Sequence, residues 1–244
     1  MELILDLGNT NKKAAVFHRE KLLELNQYPG MNQKILLGIF RKYPDITRCI
    51  LSSVIRHPAS LNRFIASRCL LIELTEKTPL PIINRYQSPK TLGKDRLAAA
   101  VAAAHHFPKQ DVLAVTCGTC ITYDFINGGN EYLGGAISPG IRMRFQSLHT
   151  FTGKLPLVSL KPKGKLIGRD TGSSVHSGVV YGVVAEIEGI AGQFRLLYPD
   201  LKIILSGGDH FYLNKQLKIS IFALPNIVIH GLHQILEFNV PKAQ

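Results

Sequence analysis

Two short segments of this chain combine glycine and hydroxyl residues in a spacing suited to holding phosphate, and the first adds an aspartate. The first is Asp6-Leu7-Gly8-Asn9-Thr10-Asn11-Lys12-Lys13, set between apolar residues from Leu3 to Phe17. Glycine in a tight turn lets backbone N–H groups approach phosphate oxygens. An aspartate just before such a turn could hold Mg²⁺ directly or through water, because Mg²⁺ prefers oxygen ligands and keeps several of its waters. Lys12 or Lys13 could sit beside phosphate, with strand alternation placing one on each face. The plainer alternative for Asp6 is a turn residue that accepts backbone hydrogen bonds.

The second segment is Thr116-Cys117-Gly118-Thr119, between the apolar runs Leu113–Val115 and Ile121–Ile126. Laid on the first, it pairs Asp6 with Thr116 and Gly8 with Gly118, and a threonine follows each turn. The offset is about half the chain, which predicts a duplicated domain.

Between and after these loops stand other residues able to do chemistry. Asp95 could orient a substrate hydroxyl and accept its proton, with Arg96 beside it to hold an anion or transition-state charge. The alternative is an acid complementing a helix dipole from the first turn. Tyr86 and Thr171 carry hydroxyls suited to substrate hydrogen bonds. Gly207-Gly208 follows an apolar run and permits close approach of a ligand such as adenosine, or simply a turn.

The elements that must position these residues alternate between strand and helix, which predicts an α/β fold. Strands are expected over 47–54 and 69–74. A helix is expected over 93–105, whose alanines favour helix and permit close packing. Gly134-Gly135 is expected to close a hairpin, 139–150 to be helical, and a long helix to run over about 173–197. On that helix Ser174, Gly178 and Gly182 fall four apart, which suggests a close helix contact within the chain or between subunits. A short strand is expected over 201–205, another over 227–229, and a last helix from Gly231 to about Phe238.

Composition narrows the class. The chain has 244 residues, 45% hydrophobic and 19% charged, which describes a globular protein with a sizeable core. The first residues show no basic segment followed by a long apolar stretch, and no apolar run is long enough to span a bilayer. The expectation is a cytoplasmic protein without membrane partners. The formal net charge is +12. Arg142, Arg144, Lys154, Lys161, Lys163, Lys165 and Arg169 fall in one stretch without an acid. That stretch reads as a solvated basic face or as attraction for anionic substrates such as ATP. No aromatic-interleaved basic motif accompanies it, so nucleic acid is not expected as a partner. Cys117 and Cys120 form a CxxC, but inside a predicted strand-turn-strand rather than at a helix start, where a redox pair belongs.

Taken in order, these pieces resemble type III pantothenate kinase. The resemblance is carried by Asp6–Lys12, Tyr86–Arg96, Gly118–Asp124, Leu133–Gly140, Gly168–Gly178 and Ser206–Gly208, and it spans nearly the whole chain. It implies two ribonuclease-H-like domains of the actin and sugar-kinase superfamily, placed here at 1–110 and 111–244, in a homodimer. It implies transfer of the ATP γ-phosphate to pantothenate, the first step of coenzyme A synthesis. By position it assigns Asp6 to Lys13, Gly118, Thr119, Gly207 and Gly208 to ATP, with Mg²⁺ at Asp6. Tyr86, Gly93, Lys94, Asp95, Arg96 and Thr171 are assigned to pantothenate, with Asp95 as proton acceptor.

The sequence departs from the family pattern once. The second loop usually reads Asp-x-Gly-Thr, and its aspartate is associated with potassium or ammonium; here that position is Thr116. The cation requirement is therefore left open. Two other readings remain: a non-catalytic nucleotide-binding regulator of the Bvg accessory factor type, and a kinase of another small acceptor on the same scaffold. The first is opposed by the presence of Asp6, Asp95 and Arg96, the second by the Tyr86–Arg96 string.

Overall fold

The structure is a computed structural model that describes residues 1–162 and 164–240; Lys163 of the basic stretch lies outside them. In chain order the elements are β1 (Glu2–Leu7), β2 (Lys12–His18), β3 (Lys21–Tyr28), α1 (Gln33–Lys42), β4 (Arg48–Ser53), α2 (Ala59–Ala66), β5 (Leu70–Glu73), β6 (Ile83–Asn84) and α3 (Lys94–His106). Then come β7 (Val112–Cys117), β8 (Cys120–Ile126), β9 (Glu131–Pro139), α4 (Ile141–Thr150), α5 (Thr171–Leu197), β10 (Lys202–Ser206), α6 (His210–Asn214), β11 (Phe222–Ala223) and α7 (Ile227–Asn239).

The chain forms two compact units, Met1–His106 with Ile227–Gln244, and Phe107–Asn226. In the first, the sheet order is β3-β2-β1-β4-β5. In the second, the corresponding strands run β11-β10-β7-β8-β9. Read from the other edge this is β9-β8-β7-β10-β11, the same order. In both, the opening hairpin is antiparallel and the fourth strand lies parallel to the first. The duplication predicted from two short loops therefore extends through both sheets.

The first sheet buries Leu3, Leu5, Leu7, Cys49 and Leu51 on one face, against Leu36 of α1 and Leu61 and Ile65 of α2. Its other face is covered by α7 and α3, which also pack tightly on each other. Alanine makes this close approach possible: residues Leu97 to Ala104 of α3 are all buried. Helix starts follow local chemistry. The Asn32 side chain accepts from Ile35 N at the start of α1. Asp170 and Ser173 form a reciprocal capping box that starts α5 at Thr171.

Three expectations change. Residues 227–229 are the first turn of α7 rather than a strand. The run Ile227-Val228-Ile229 looks strand-like because it is short and apolar, but Ile227 and Ile229 are buried on a helix that continues through Gly231. That helix packs with the first unit, whereas the division at 110/111 had assigned it to the second domain. Gly134 and Gly135 do not close a hairpin; they lie inside β9. There Gly135, at φ +159, sits against the Tyr123 carbonyl, where a Cβ would come within 1.6 Å.

The α3–α7 contact has a sharp steric test. A Cβ at Gly231 would stand 1.8 Å from the Ala98 carbonyl oxygen. Backbone on both sides cannot yield cheaply, so Gly231→Ala should destabilise the protein by about 1–3 kcal/mol or more. Urea unfolding should show a lower midpoint.

Candidate active site

The first loop is built by register. Asp6 on β1 lies opposite Lys13 on β2 and opposite Ser52 on β4. Directly paired residues share a face, so Asp6, Lys13 and Ser52 face together, on the side covered by α3 and α7. Lys12 falls on the other face, and its Nζ donates to the Asn9 carbonyl at 3.0 Å. Of the two lysines, Lys13 is the one beside the carboxylate. The Leu7 side chain belongs to the core, so only its backbone can serve the loop. Asn9, Thr10 and Asn11 are exposed at the tip. Gly8 is confined, since a Cβ there would meet Asn11 O at 3.0 Å.

The start of α3 is tied to the same end of the sheet. Lys94 Nζ donates to the Ser53 carbonyl at 3.2 Å. Asp95 is exposed, and its Oδ1 accepts from the Arg96 backbone N–H at 2.9 Å. Gly93 makes that pose possible, because a Cβ at 93 would lie 2.6 Å from Asp95 Oδ1. Arg96 is buried, with its guanidinium 5.7 Å from the centre of the Tyr86 ring. Tyr86 and Asp95 are thereby linked through neighbouring residues of one unit.

Burial pushes the Asp6 carboxyl up from its ordinary 3.8 to about 6; Lys13 opposes the rise and the nearby Asp95 adds to it. The Asp6 carboxyl therefore feels the charge of Asp95. Among the described residues no cluster of three or more His, Cys, Asp or Glu forms. A single carboxylate suits Mg²⁺ that keeps its waters and takes remaining ligands from phosphate.

In the second unit, Gly118 and Thr119 form the β7–β8 turn, with Gly118 N donating to Cys120 O at 2.9 Å. The turn is flanked on both sides by glycine. Gly207, at φ +92, would bring a Cβ within 2.1 Å of Cys117 O, and Asp209 N donates to that same oxygen at 3.1 Å. On the other side Gly140 N donates to Thr119 O at 3.0 Å. Gly207 and Gly208 thus lie at the second loop. Asp209 is half-buried; burial raises its carboxyl and Arg142 opposes this. Arg142 belongs to the basic stretch noted in the sequence, whereas Asp209 was given no role there, although it directly follows Ser206–Gly208. Thr171 lies on the exposed first turn of α5 in this unit.

Thr116 is paired with Thr122 on β8 and Ser206 on β10. Its Oγ1 is buried with no hydrogen-bond partner among the described residues. These neighbours supply hydroxyls and no carboxylate. The CxxC spans the hairpin turn, and burial pushes the Cys117 thiol up to about 12, the reverse of an activated thiolate. Arg144 of the basic stretch is engaged with Glu186, which also accepts from Ser138 and Tyr123. It is therefore held in a structural network and is not free for an anion.

The raised Asp6 value fixes the sign of a stability effect. Folding favours its protonated form. Its contribution is full below about pH 3.8 and is lost as pH rises through about 6. Asp6→Asn should therefore stabilise the ligand-free protein at pH 7.5 by roughly 1–3 kcal/mol, with the gain vanishing near pH 4. Urea unfolding at both pH values checks this.

The family model described as type III pantothenate kinase matches residues 2–193. A type III pantothenate kinase of Christiangramia forsetii is 44% identical over 240 residues, covering 98% of this chain and 99% of the relative. Among solved structures, a Campylobacter jejuni protein described as a Baf family transcriptional activator aligns with a TM-score of 0.61 at 20% identity, covering 97% of this chain and 98% of that one. One from Porphyromonas gingivalis, described as an N-acetylglucosamine kinase, aligns with a TM-score of 0.52 at 18% identity, covering 98% and 99%. At these identities the structural matches speak to the fold alone, a mixed α/β fold shared along nearly the whole chain. The match of the family model and the full-length relative decide the family: this chain belongs to the type III pantothenate kinases.

Proposed function

We propose that this chain transfers the γ-phosphoryl group of ATP to the terminal hydroxyl of pantothenate, the opening step of coenzyme A synthesis. The observation that carries the reading is the placement of Asp6, Lys13 and Asp95 at one end of the first sheet, with Arg96 stacked over Tyr86. Phosphoryl transfer asks little covalent chemistry of a protein, and mostly positioning and charge stabilisation.

In this reading the backbone of Gly8 to Asn11 cradles phosphate and Lys13 adds a cation beside it. Asp6 holds Mg²⁺ directly or through water, and the ion, when bound, neutralises charge on the phosphates. Asp95 accepts a hydrogen bond from the substrate hydroxyl and takes its proton as the new bond forms. Orientation of that hydroxyl contributes alongside proton removal. Arg96, with its charge held over the Tyr86 ring, serves the pantothenate carboxylate or the developing charge. Lys94 and Gly93 set the pose of Asp95. Gly118, Thr119, Gly207 and Gly208 are assigned to ATP, and Thr171 to pantothenate, by the family resemblance.

Two finer expectations belong here. A homodimer agrees with α5, where Gly178 and Gly182 are exposed and a Cβ at either would meet nothing within 4 Å. A cytoplasmic location suits the substrate; no helix among the described residues is long and apolar enough to cross a membrane. The donor set around Thr116 does not fit a monovalent cation that needs a carboxylate, so no step is assigned to one.

Purified protein with ATP and Mg²⁺ should phosphorylate pantothenate, and Asp95→Asn should lower kcat at least about 100-fold while nucleotide binding persists. Turnover in sodium buffer should lie within about threefold of that in potassium or ammonium, since Thr116 offers no charge to attract the ion. Nucleotide binding without turnover under any of these salts would favour the regulatory reading instead.

A further inference from the structure

We propose that Ser52 is a positioning residue for metal-bound nucleotide, acting through a water it shares with the Asp6 carboxylate. The proposal rests on the nucleotide reading of the first loop. Ser52 stands on β4 in parallel register with Asp6 and so faces the same way. It is 0% exposed, and its Oγ finds no hydrogen-bond partner among the described residues. A buried hydroxyl left without a partner is unfavourable, and such groups in native proteins usually mark a water or ion.

The adjacent Ser53 shows the difference. Its hydroxyl donates to Ile55 O at 2.8 Å and accepts from Ile55 N at 3.3 Å, which stabilises the turn after β4. Ser52 makes no such local bond. Its neighbours on that face are Asp6 and, across β1, Lys13, with the first turn of α3 held close by the Lys94–Ser53 hydrogen bond. These are the groups that a metal and its phosphates would approach. The hydroxyl makes no direct bond to Asp6, so one water is the shortest link, and a bridging water serves nearly as well as a direct bond.

The second unit supplies an independent comparison. Ser206 on β10 occupies the same place in the sheet order and lies in parallel register with Thr116, 1% exposed. A buried serine thus stands beside the residue that opens each loop. Only in the first unit does that residue carry a carboxylate. Ser52 therefore orients a charged metal ligand, and its effect on nucleotide binding is linked to the metal.

Calorimetry of ADP binding with Mg²⁺ and with EDTA separates this role from a general one. Wild-type protein should bind ADP more tightly with Mg²⁺. Ser52→Ala should reduce that Mg²⁺-dependent gain about fivefold, change affinity in EDTA by less than about twofold, and leave the melting temperature no lower than wild type. Should Ser52→Ala not fold, Ser52→Cys, which keeps a weak donor at similar size, is read in the same way and should reduce the Mg²⁺-dependent gain about twofold. An unchanged Mg²⁺-dependent gain overturns the role of Ser52, as does an equal loss with and without metal. Absence of any Mg²⁺ effect in wild-type protein would overturn the nucleotide reading of the loop itself.

Discussion

The first loop depends on the register of β1 against its two neighbours. Side chains alternate along a strand, so a slip by one residue would exchange the two faces. Leu5 and Leu7 would then leave the core and Asp6 would enter it. The observed register instead places Asp6, Lys13 and Ser52 on one face and Leu5, Leu7 and Leu51 on the other. The helices covering the polar-ended face are fixed from both ends. Arg48 pairs with Glu2 at 2.6 Å and with Glu237 of α7 at 3.1 Å, near the start of β1. Lys94 ties α3 to the end of β4. Between these anchors Phe17 stacks on His233 with ring centres 4.2 Å apart. The face is thus closed by packing at one end and left polar at the other, where the loop opens.

Both units share one strand order, yet their loops have become chemically different. In the first, a carboxylate, a lysine and a serine lie side by side across three strands. In the second, the same three places hold Thr116, Thr122 and Ser206. The three paired strand positions carry charge in one unit and none in the other, on the same frame. The neutral loop is shaped by close backbone approach: Gly207 and Gly140 both press against it where no side chain would fit.

Much of this was legible in the sequence because it rested on local signals. Gly8, Gly118 and Gly207 stand where the chain leaves a strand, Gly207 at a positive φ, and the alanines of α3 announced a helix in close contact. The duplication was read from two loops of a few residues, and the sheet order extends it. What could not be read depended on distant partners. Ile227-Val228-Ile229 is apolar enough for a strand, and only packing against α3 decides for helix. Gly134-Gly135 looks like a turn, but the glycine at 135 is required by the Tyr123 carbonyl on the neighbouring strand. The place of α7 in the first unit does not follow from spacing, and alternation puts Lys12 and Lys13 on opposite faces without saying which one joins Asp6. Ser52 carries no sequence signal at all; it becomes notable only when burial and register are seen together.

The same physics explains why Asp6 is held where it is. A carboxylate in water is well solvated and binds Mg²⁺ weakly, because the ion gives up its own waters reluctantly. Partial burial removes competing water and strengthens attraction to a cation, at the expense of the ligand-free fold. Lys13 moderates this penalty without neutralising it, since its charge lies on the neighbouring strand and the Asp6 carboxyl still rises to about 6. A metal-bound nucleotide would relieve what remains, so the strain in the free protein becomes affinity in the complex. Asp95 increases the strain from the other side, and it too would be offset by the same cation. Charge at Asp6 is thus destabilising until a cation arrives, and occupancy of the loop would be linked to the stability of the fold.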